Sequence, residues 1–529
     1  MASKYSKTYT TSLKTGLSRI TSTMAKRFLL ENGYSSSSFH MPEYYNPSGF
    51  TSINLAPIDW MSRTGVKITK TLDIITPKGY LSWRSFNFLH PFIYSQLVTE
   101  ITRRGNWALI KELLTRETLV NCYSTPILHL TRKRTLNAAS ISNWLQMAEK
   151  DLIKDCVEYN FLEVTDIKNF YPSIYTHSIS WAVHGKDVAK SRRFDMSLLG
   201  NRLDKLIQNS RDGQTNGIPV GSYVSDIIAE IVLCDVDNKL TEQIVAEKLN
   251  SNVLIFRFRD DYRILSKTAE QGKRVLSHLN RILNSEYNLS LNSDKTKSYS
   301  DIIEGTFRPW ILEIKSSFLL RKIYYGDLSD CTSVAYLKDC LVEIYHVQKK
   351  YPDSRASLSV LSKLGEELYR KPGKIKLHKG DIPEIISILR KLTLLREEVT
   401  PQCFILLDIL INEISDKKER RRVLNAIKRV ISGNSDYTYQ LIWFYRLCLS
   451  CLPEMCDQLL RDNNIPLLRV VNRRYFRHDY QIYPNTSFLA HDESELEKFS
   501  FIDRAKIRRA KTRKINPNSV NPFNPYRDL

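Results

Sequence analysis

Two hydrophobic periods divide this chain. In FLEVTD (161–166) apolar and polar residues alternate, placing Leu162, Val164 and Asp166 on one face of a predicted strand. VLIFRFRDDYRIL (253–265) reads as an apolar strand, an Asp-Asp turn and a second strand, with Phe256, Phe258 and Asp260 sharing a face. Between them lies GIPVGSYVSDIIAEIVL (217–233). Its glycines flank a proline in a tight loop, Ser222 can cap the helix that follows, and Val224, Ile227, Ile228 and Ile231 form that helix's buried stripe. Residues 28–150 mix helix and strand patterns. From about residue 350 the period becomes helical and start signals recur. Asp381 to Pro383 open one helix, and Thr400-Pro401 opens QCFILLDILINEI. Ser415 or Asp416 caps KKERRRVLNAIKRVI, with Gly433 placed to end it, and a further helix covers 437–451. Helices of about four turns joined by short links predict a stack of the HEAT-like kind.

Composition sharpens this picture. The 529 residues make roughly three to four domains' worth of chain, and glycine, at 18 residues, is too scarce for an all-β protein full of tight turns. Lys and Arg number 78 against 57 Asp and Glu, a surplus of +21 that favours a polyanionic partner, nucleic acid first. Residues 1–27 hold six bases and no acid; a transit peptide has that texture, but a flexible basic arm is the expectation. The segment from Phe501 to Leu529 reads as an extended basic tail. No apolar run is long enough to span a membrane, and nine scattered cysteines fit a reduced, cytoplasmic interior. Cys448, Cys451 and Cys456 are closely spaced, yet their apolar helical setting reads as core thiols rather than zinc ligands.

The acids carry the chemistry. Asp166 and Asp260 each end an apolar row, where a carboxylate is costly unless something cationic meets it. Paired acids at a hairpin tip are also ordinary turn chemistry. Three converging carboxylates would either keep a proton or collect two Mg²⁺ or Mn²⁺ ions, since oxygen ligands suit hard cations, and two such ions are what phosphoryl transfer uses.

The order of strand with Asp, glycine loop with helix, and hairpin with Asp-Asp resembles the palm of reverse transcriptases. DIKNFYPSIY, GIPVGSYVS, FRDDY and LNSDKTK are similar to four successive motifs of that family, over roughly residues 80–300. The resemblance implies that Asp166, Asp260 and Asp261 hold the metals. It places Tyr171 at the steric gate that selects dNTPs, Gly221 against the nucleotide and Lys295 near the triphosphate. Upstream, WRSFNFLHPFIYSQLVTEI (83–101) resembles the fingers segment, with Arg84 as its phosphate contact.

One departure narrows the family. Val220 stands where templated members carry glutamine, whose amide it cannot replace. With the long helical second half, this resembles bacterial abortive-infection reverse transcriptases, phage-defence polymerases of plasmids and P2-like prophages. The resemblance implies an α+β chain in which a reverse-transcriptase-like palm and fingers lobe (28–330) precedes an all-α HEAT-like helical-repeat lobe (331–500), between a basic arm (1–27) and a basic tail (501–529). It further implies a homo-oligomer, in a bacterial cytoplasm, that makes single-stranded DNA without a template, the product staying attached to a priming hydroxyl of the protein. No motif aligns a priming residue; Tyr9, Tyr44 and Tyr45 are candidates only by their polar surroundings. KKERRR (417–422) and RVVNRRYFRHDYQIY (469–483) interleave bases with aromatics, so Arg473, Arg474, Tyr475, Phe476 and Arg477 are candidates for holding single strands, with a solvated charged face over an aromatic core as the other reading. Two alternatives stay open: a templated RNA-directed DNA polymerase of the retron or intron-maturase kind, and a non-catalytic nucleic-acid scaffold.

Overall fold

The computed structural model of the protein describes residues 14–35, 40–46, 49–61, 67–79, 82–124, 126, 128–129, 136–137, 152–153, 157–306, 308–325, 333–370, 381–431, 437–483, 490–511 and 513–517. The chain opens with a helix over Ser22–Asn32, then an antiparallel hairpin of β1 (Leu72–Gly79) and β2 (Ser82–Phe88). A helix over Pro91–Thr102 follows, started by proline at its first turn and by His90, whose Nδ1 accepts from the Phe92 amide at 3.2 Å.

The central sheet has five strands in the order β3-β7-β8-β6-β9: Val120–Cys122, Val253–Phe258, Asp261–Ser266, Phe161–Asp166 and Lys297–Tyr299. A separate small pair, β4 (Leu128–His129) with β5 (Leu136–Asn137), lies outside it. Only the β3–β7 pairing is parallel. Alternation sorts the two faces as their side chains dictate. Ile255 and Ile264 meet the helices Tyr223–Ala246 and Ala269–Tyr287 in the main core. On the opposite face, Leu162, Leu254, Phe256, Phe258 and Leu265 form a smaller cluster with Tyr123, Leu152, Tyr159 and Ile302.

Behind the β7–β8 hairpin sits a fully buried charge cluster. Arg257, on the helix side of β7, pairs with Glu230 at 2.6 Å and Asp237 at 2.7 Å, both from the Tyr223–Ala246 helix. Glu230 also accepts from Ser124 Oγ beside β3, and Asp237 accepts from the Tyr262 hydroxyl of β8. Two carboxylates thus anchor one guanidinium, and three strands are tied to one helix by bonds that tolerate little displacement.

After residue 333 the described elements are helical. Val334–Lys350, Asp381–Leu395 and Lys417–Ile431 form one layer, and Ala356–Arg370, Thr400–Asn412 and Thr438–Cys451 form a second. Thr400–Asn412 begins at its expected Thr-Pro, and the Asp416 carboxylate accepts from the Lys418 amide at 2.9 Å at the next helix start. Gly433 lies outside the described residues. Cys448, Cys451 and Cys456 are buried thiols in the core, as their apolar setting implies.

Both chain ends differ from expectation where they are described. Leu17 and Ile20 are buried, and Trp107 Nε1 donates to the Ile20 carbonyl at 2.8 Å, so residues 14–27 pack against the fold rather than forming a free arm. At the other end Phe501, Ile502, Ile507 and Ile515 are buried, and the Ile515 amide donates to Asp408, an acid sunk in the Thr400–Asn412 helix. The positive charge of both segments masks enough regularly spaced apolar residues to drive docking.

Arg257→Leu removes one guanidinium and leaves two carboxylates buried. It should cost about 3–5 kcal/mol of stability, read as a lower midpoint in urea unfolding followed by circular dichroism.

Candidate functional site

The register of β6 against β8 sets Asp166 directly opposite Asp261, and the register of β7 against β8 sets Phe258 opposite Asp261. Like charges placed opposite each other in a sheet repel. A second link holds them there: the Ile167 amide donates to the Asp260 carbonyl at 3.0 Å. The two-residue loop, Arg259-Asp260, carries its positive φ on Arg259 (53°), a left-handed conformation that costs a non-glycine residue some strain.

This geometry amends one expectation. Asp260 does not continue the row of Phe256 and Phe258, because the tight turn interrupts strand alternation; Asp261 takes that place. Among the described residues, no group of three or more His, Cys, Asp or Glu is gathered closely enough to hold a metal ion. The structure therefore brings two carboxylates face to face and leaves the third beside them.

The pair still has the features of a cation site. Oδ1 of Asp166 and Oδ1 of Asp261 are both buried without a hydrogen-bond partner, which is costly for a carboxylate. Loss of hydration pushes the Asp261 carboxyl up to about 6; Arg263 opposes this, and Asp260 and Asp166 add to it. Burial likewise raises Asp260, with Asp166 contributing. An all-oxygen donor set fits Mg²⁺ or Mn²⁺. Lys295, in the turn before β9, donates to Asp166 Oδ2 at 2.8 Å. Burial works against its charge, but the hydrogen bond and charge of Asp166 outweigh that and hold it above the ordinary lysine value.

Tyr171 stands close by. Its hydroxyl donates to Asp226 Oδ1 at 2.6 Å, and Asp226 Oδ2 receives Arg259 at 2.7 Å, so the tyrosine is coupled through one acid to the hairpin loop. The glycine loop follows its expected chemistry. Gly221 has φ +116°, a conformation open to glycine, and Ser222 caps the helix by accepting from the Ser225 amide at 3.2 Å. Val220 is gripped by Asn87 of β2: its amide donates to Asn87 Oδ1 and its carbonyl accepts from the Asn87 amide, both at 2.8 Å. Strand β2 and the glycine loop are therefore tied to each other.

Other expected site residues are placed differently. Arg84 pairs with Glu398 at 2.5 Å, a carboxylate from the helical second half, so its guanidinium is already engaged. Tyr44 is fully buried, and Tyr45, also buried, donates to the Leu467 carbonyl at 2.5 Å; neither presents its hydroxyl to solvent as a primer. Tyr9 lies outside the described residues. Arg473, Arg474 and Arg477 are exposed, but Tyr475 and Phe476 pack partly buried on the core, and Arg469 lies over the Tyr475 ring at 4.7 Å. That segment is a charged face over an aromatic core. In KKERRR, Arg420 donates to the Ile414 carbonyl and Arg421 pairs with Glu454 at 2.6 Å.

Sequence reasoning passed over Asn87, Asp226, Arg259, Arg355, Arg396 and Glu398. Asp226 alone had a local signal, as an acid in the first turn of the helix that Ser222 caps.

Comparison with known proteins bears on this geometry. No curated protein matches the sequence significantly. Among solved structures, Candida tropicalis telomerase truncated of its C-terminal domain is similar at 12% identity over 47% of this chain and 51% of that one, with a TM-score of 0.30. The chain thus spans about half the length of that relative. Candida albicans telomerase in complex with a fragment of telomeric RNA is 11% identical over 72% of this chain and 64% of that one, with a TM-score of 0.31. Likeness of that degree carries no argument by itself. Residues 97–337, a little under half of the chain, match the family model described as reverse transcriptase (RNA-dependent DNA polymerase). That span contains both strands of the Asp166–Asp261 pair, the glycine loop and Lys295: the chain carries a reverse transcriptase family domain.

Proposed function

We propose that this chain is a dNTP-polymerising nucleotidyltransferase whose centre is built on Asp166, Asp260 and Asp261. One observation carries the reading: two carboxylates forced opposite each other across β6 and β8, each with a buried oxygen that accepts no hydrogen bond, inside a reverse transcriptase family domain. Two Mg²⁺ or Mn²⁺ ions held there would activate the attacking hydroxyl and neutralise the transferred phosphoryl group.

The residues around the pair have roles that follow from their positions. Lys295 offsets the charge of Asp166 and keeps a positive group at the mouth of the site for a phosphate. Tyr171, held by Asp226, forms a fixed wall able to exclude a 2′-hydroxyl. Gly221 lets bare backbone approach a nucleotide.

The finer reading is template-independent, protein-primed synthesis of single-stranded DNA by a homo-oligomer of the bacterial abortive-infection kind, with a HEAT-like helical half. Two features support it. Val220 offers no side-chain amide where templated members carry glutamine, and its backbone is committed to Asn87. The later helices also alternate between two layers, as solenoid repeats do. Templated RNA-directed synthesis is the second reading, favoured by the matched family's own description.

Replacing Asp260 and Asp261 together by Asn should abolish incorporation of labelled dNTPs while the far-ultraviolet circular dichroism stays unchanged; normal incorporation by that variant would remove the metal-site assignment. Denaturing electrophoresis of wild-type protein with labelled dNTPs and no template separates the two readings. Label that migrates with the polypeptide and shortens under nuclease supports protein priming, whereas product whose length follows an added RNA supports templating. Tyr171→Ala should lower the preference for dNTPs over rNTPs by about tenfold or more, the scale of one well-placed contact, measured as a ratio of kcat/KM values.

A further inference from the structure

Where the helical half reaches strand β2, three arginines gather around one glutamate. Glu398 lies in a short turn between the Asp381–Leu395 and Thr400–Asn412 helices. Its Oε1 receives Arg84 of β2 at 2.5 Å, and its Oε2 receives Arg396 at 2.7 Å. Arg355, which follows the Val334–Lys350 helix, stands 3.8 Å from Oε2, beyond hydrogen-bond reach. Three guanidinium groups converge on the single carboxylate of Glu398.

The group is recessed but reachable. The side chains of Arg84, Arg355 and Arg396 retain 37%, 25% and 15% exposure, and that of Glu398 retains 16%. Burial lowers the affinity of Arg355 for its proton; Glu398 opposes this, while Arg396, Arg84 and Arg259 add repulsion. Arg84 lies three residues before Asn87, which holds Val220, on the strand whose Phe86 lies against Gly221, so the cluster's strand borders the glycine loop. Asp353, two residues before Arg355, exerts its charge on Lys295.

A carboxylate has two oxygens and one charge. It satisfies two guanidiniums and leaves the third without a close partner. A phosphate chain has more oxygens, carries several negative charges and pairs with arginines in a bidentate manner. Glu398 occupies the place such an anion would take.

We propose that Arg84, Arg355 and Arg396 form a binding site for the triphosphate of the incoming nucleotide, assembled from the fingers strand and the helical half, with Glu398 as a resident competitor that the triphosphate displaces. This deepens the polymerase reading and rests on it for the identity of the nucleotide, but the anion site itself can be read without any synthesis. The helical half thereby becomes part of the substrate site, and Arg84 meets phosphate only after exchanging partners.

The test uses the full chain and inorganic tripolyphosphate, titrated by calorimetry without metal, alongside KM and kcat for dNTP incorporation. Glu398→Gln keeps the shape and removes the competing charge, so it should bind tripolyphosphate about tenfold more tightly, equivalent to about 1.4 kcal/mol. Arg355→Gln and Arg396→Gln should each weaken binding about tenfold and raise KM with kcat little changed, and Arg355→Lys should recover part of the loss. Melting curves identify any variant that fails to fold, and Glu398→Gln is the least disruptive of the set. Unchanged or weaker tripolyphosphate binding by a folded Glu398→Gln protein would overturn the proposal and make the cluster a structural clamp. If arginine variants lose tripolyphosphate binding in a protein that never incorporates dNTPs, the anion site stands and the polymerase reading fails. If incorporation proceeds with KM unmoved by both arginine variants, the polymerase reading stands and this one fails.

Discussion

Repulsion between Asp166 and Asp261 is the constraint around which the rest of the site is arranged. Backbone pairing of β6 with β8 forces the two carboxylates to face each other, and neither can move away without breaking the sheet. Such a pair persists only where rigid structure over-determines it and positive charge lies within reach. The Arg257–Glu230–Asp237 cluster provides the rigidity from behind, and Lys295 provides the charge in front. Burial, more than the charge of Asp166, raises the Asp261 carboxyl.

The supporting contacts are graded in their tolerance. Behind the sheet every polar group of the buried cluster has a partner, so the hairpin has a fixed seat. On the other side, Asn87 joins the fingers strand to the glycine loop, and Arg84 joins the same strand to the helical half through Glu398. Three parts of the chain distant in sequence thus meet around one strand, β2. Strand β1 also packs on the Asp381–Leu395 and Thr438–Cys451 helices, so the helical half is joined to the hairpin by buried apolar contact as well as by this ion pair.

Much of this was legible in local patterns. Alternation in FLEVTD and VLIFRF announced two strands ending in acids, and the glycines around Pro219 announced the loop between them. Ser222, Thr400-Pro401 and Asp416 marked helix starts because capping depends on residues only a few positions apart. The turn was harder: a two-residue loop shifts the phase of alternation, so Asp261 rather than Asp260 fell opposite Asp166. Charge-rich segments misled where the apolar residues among them were few. Leu17, Ile20, Ile507 and Ile515 suffice to dock both described ends, and Tyr475 and Phe476 turn their rings inward.

Periodicity in the chain was enough to establish which acids end strands, because a strand's pairing is prefigured by its own alternating residues. The partner of Arg84 was not available from any such pattern. Glu398 lies 314 residues further along the chain, and in each local window both residues read as ordinary surface charges. Only packing of the helical half against the fingers placed them together, since a long-range ion pair depends on where two elements come to rest and leaves no trace in the spacing of either.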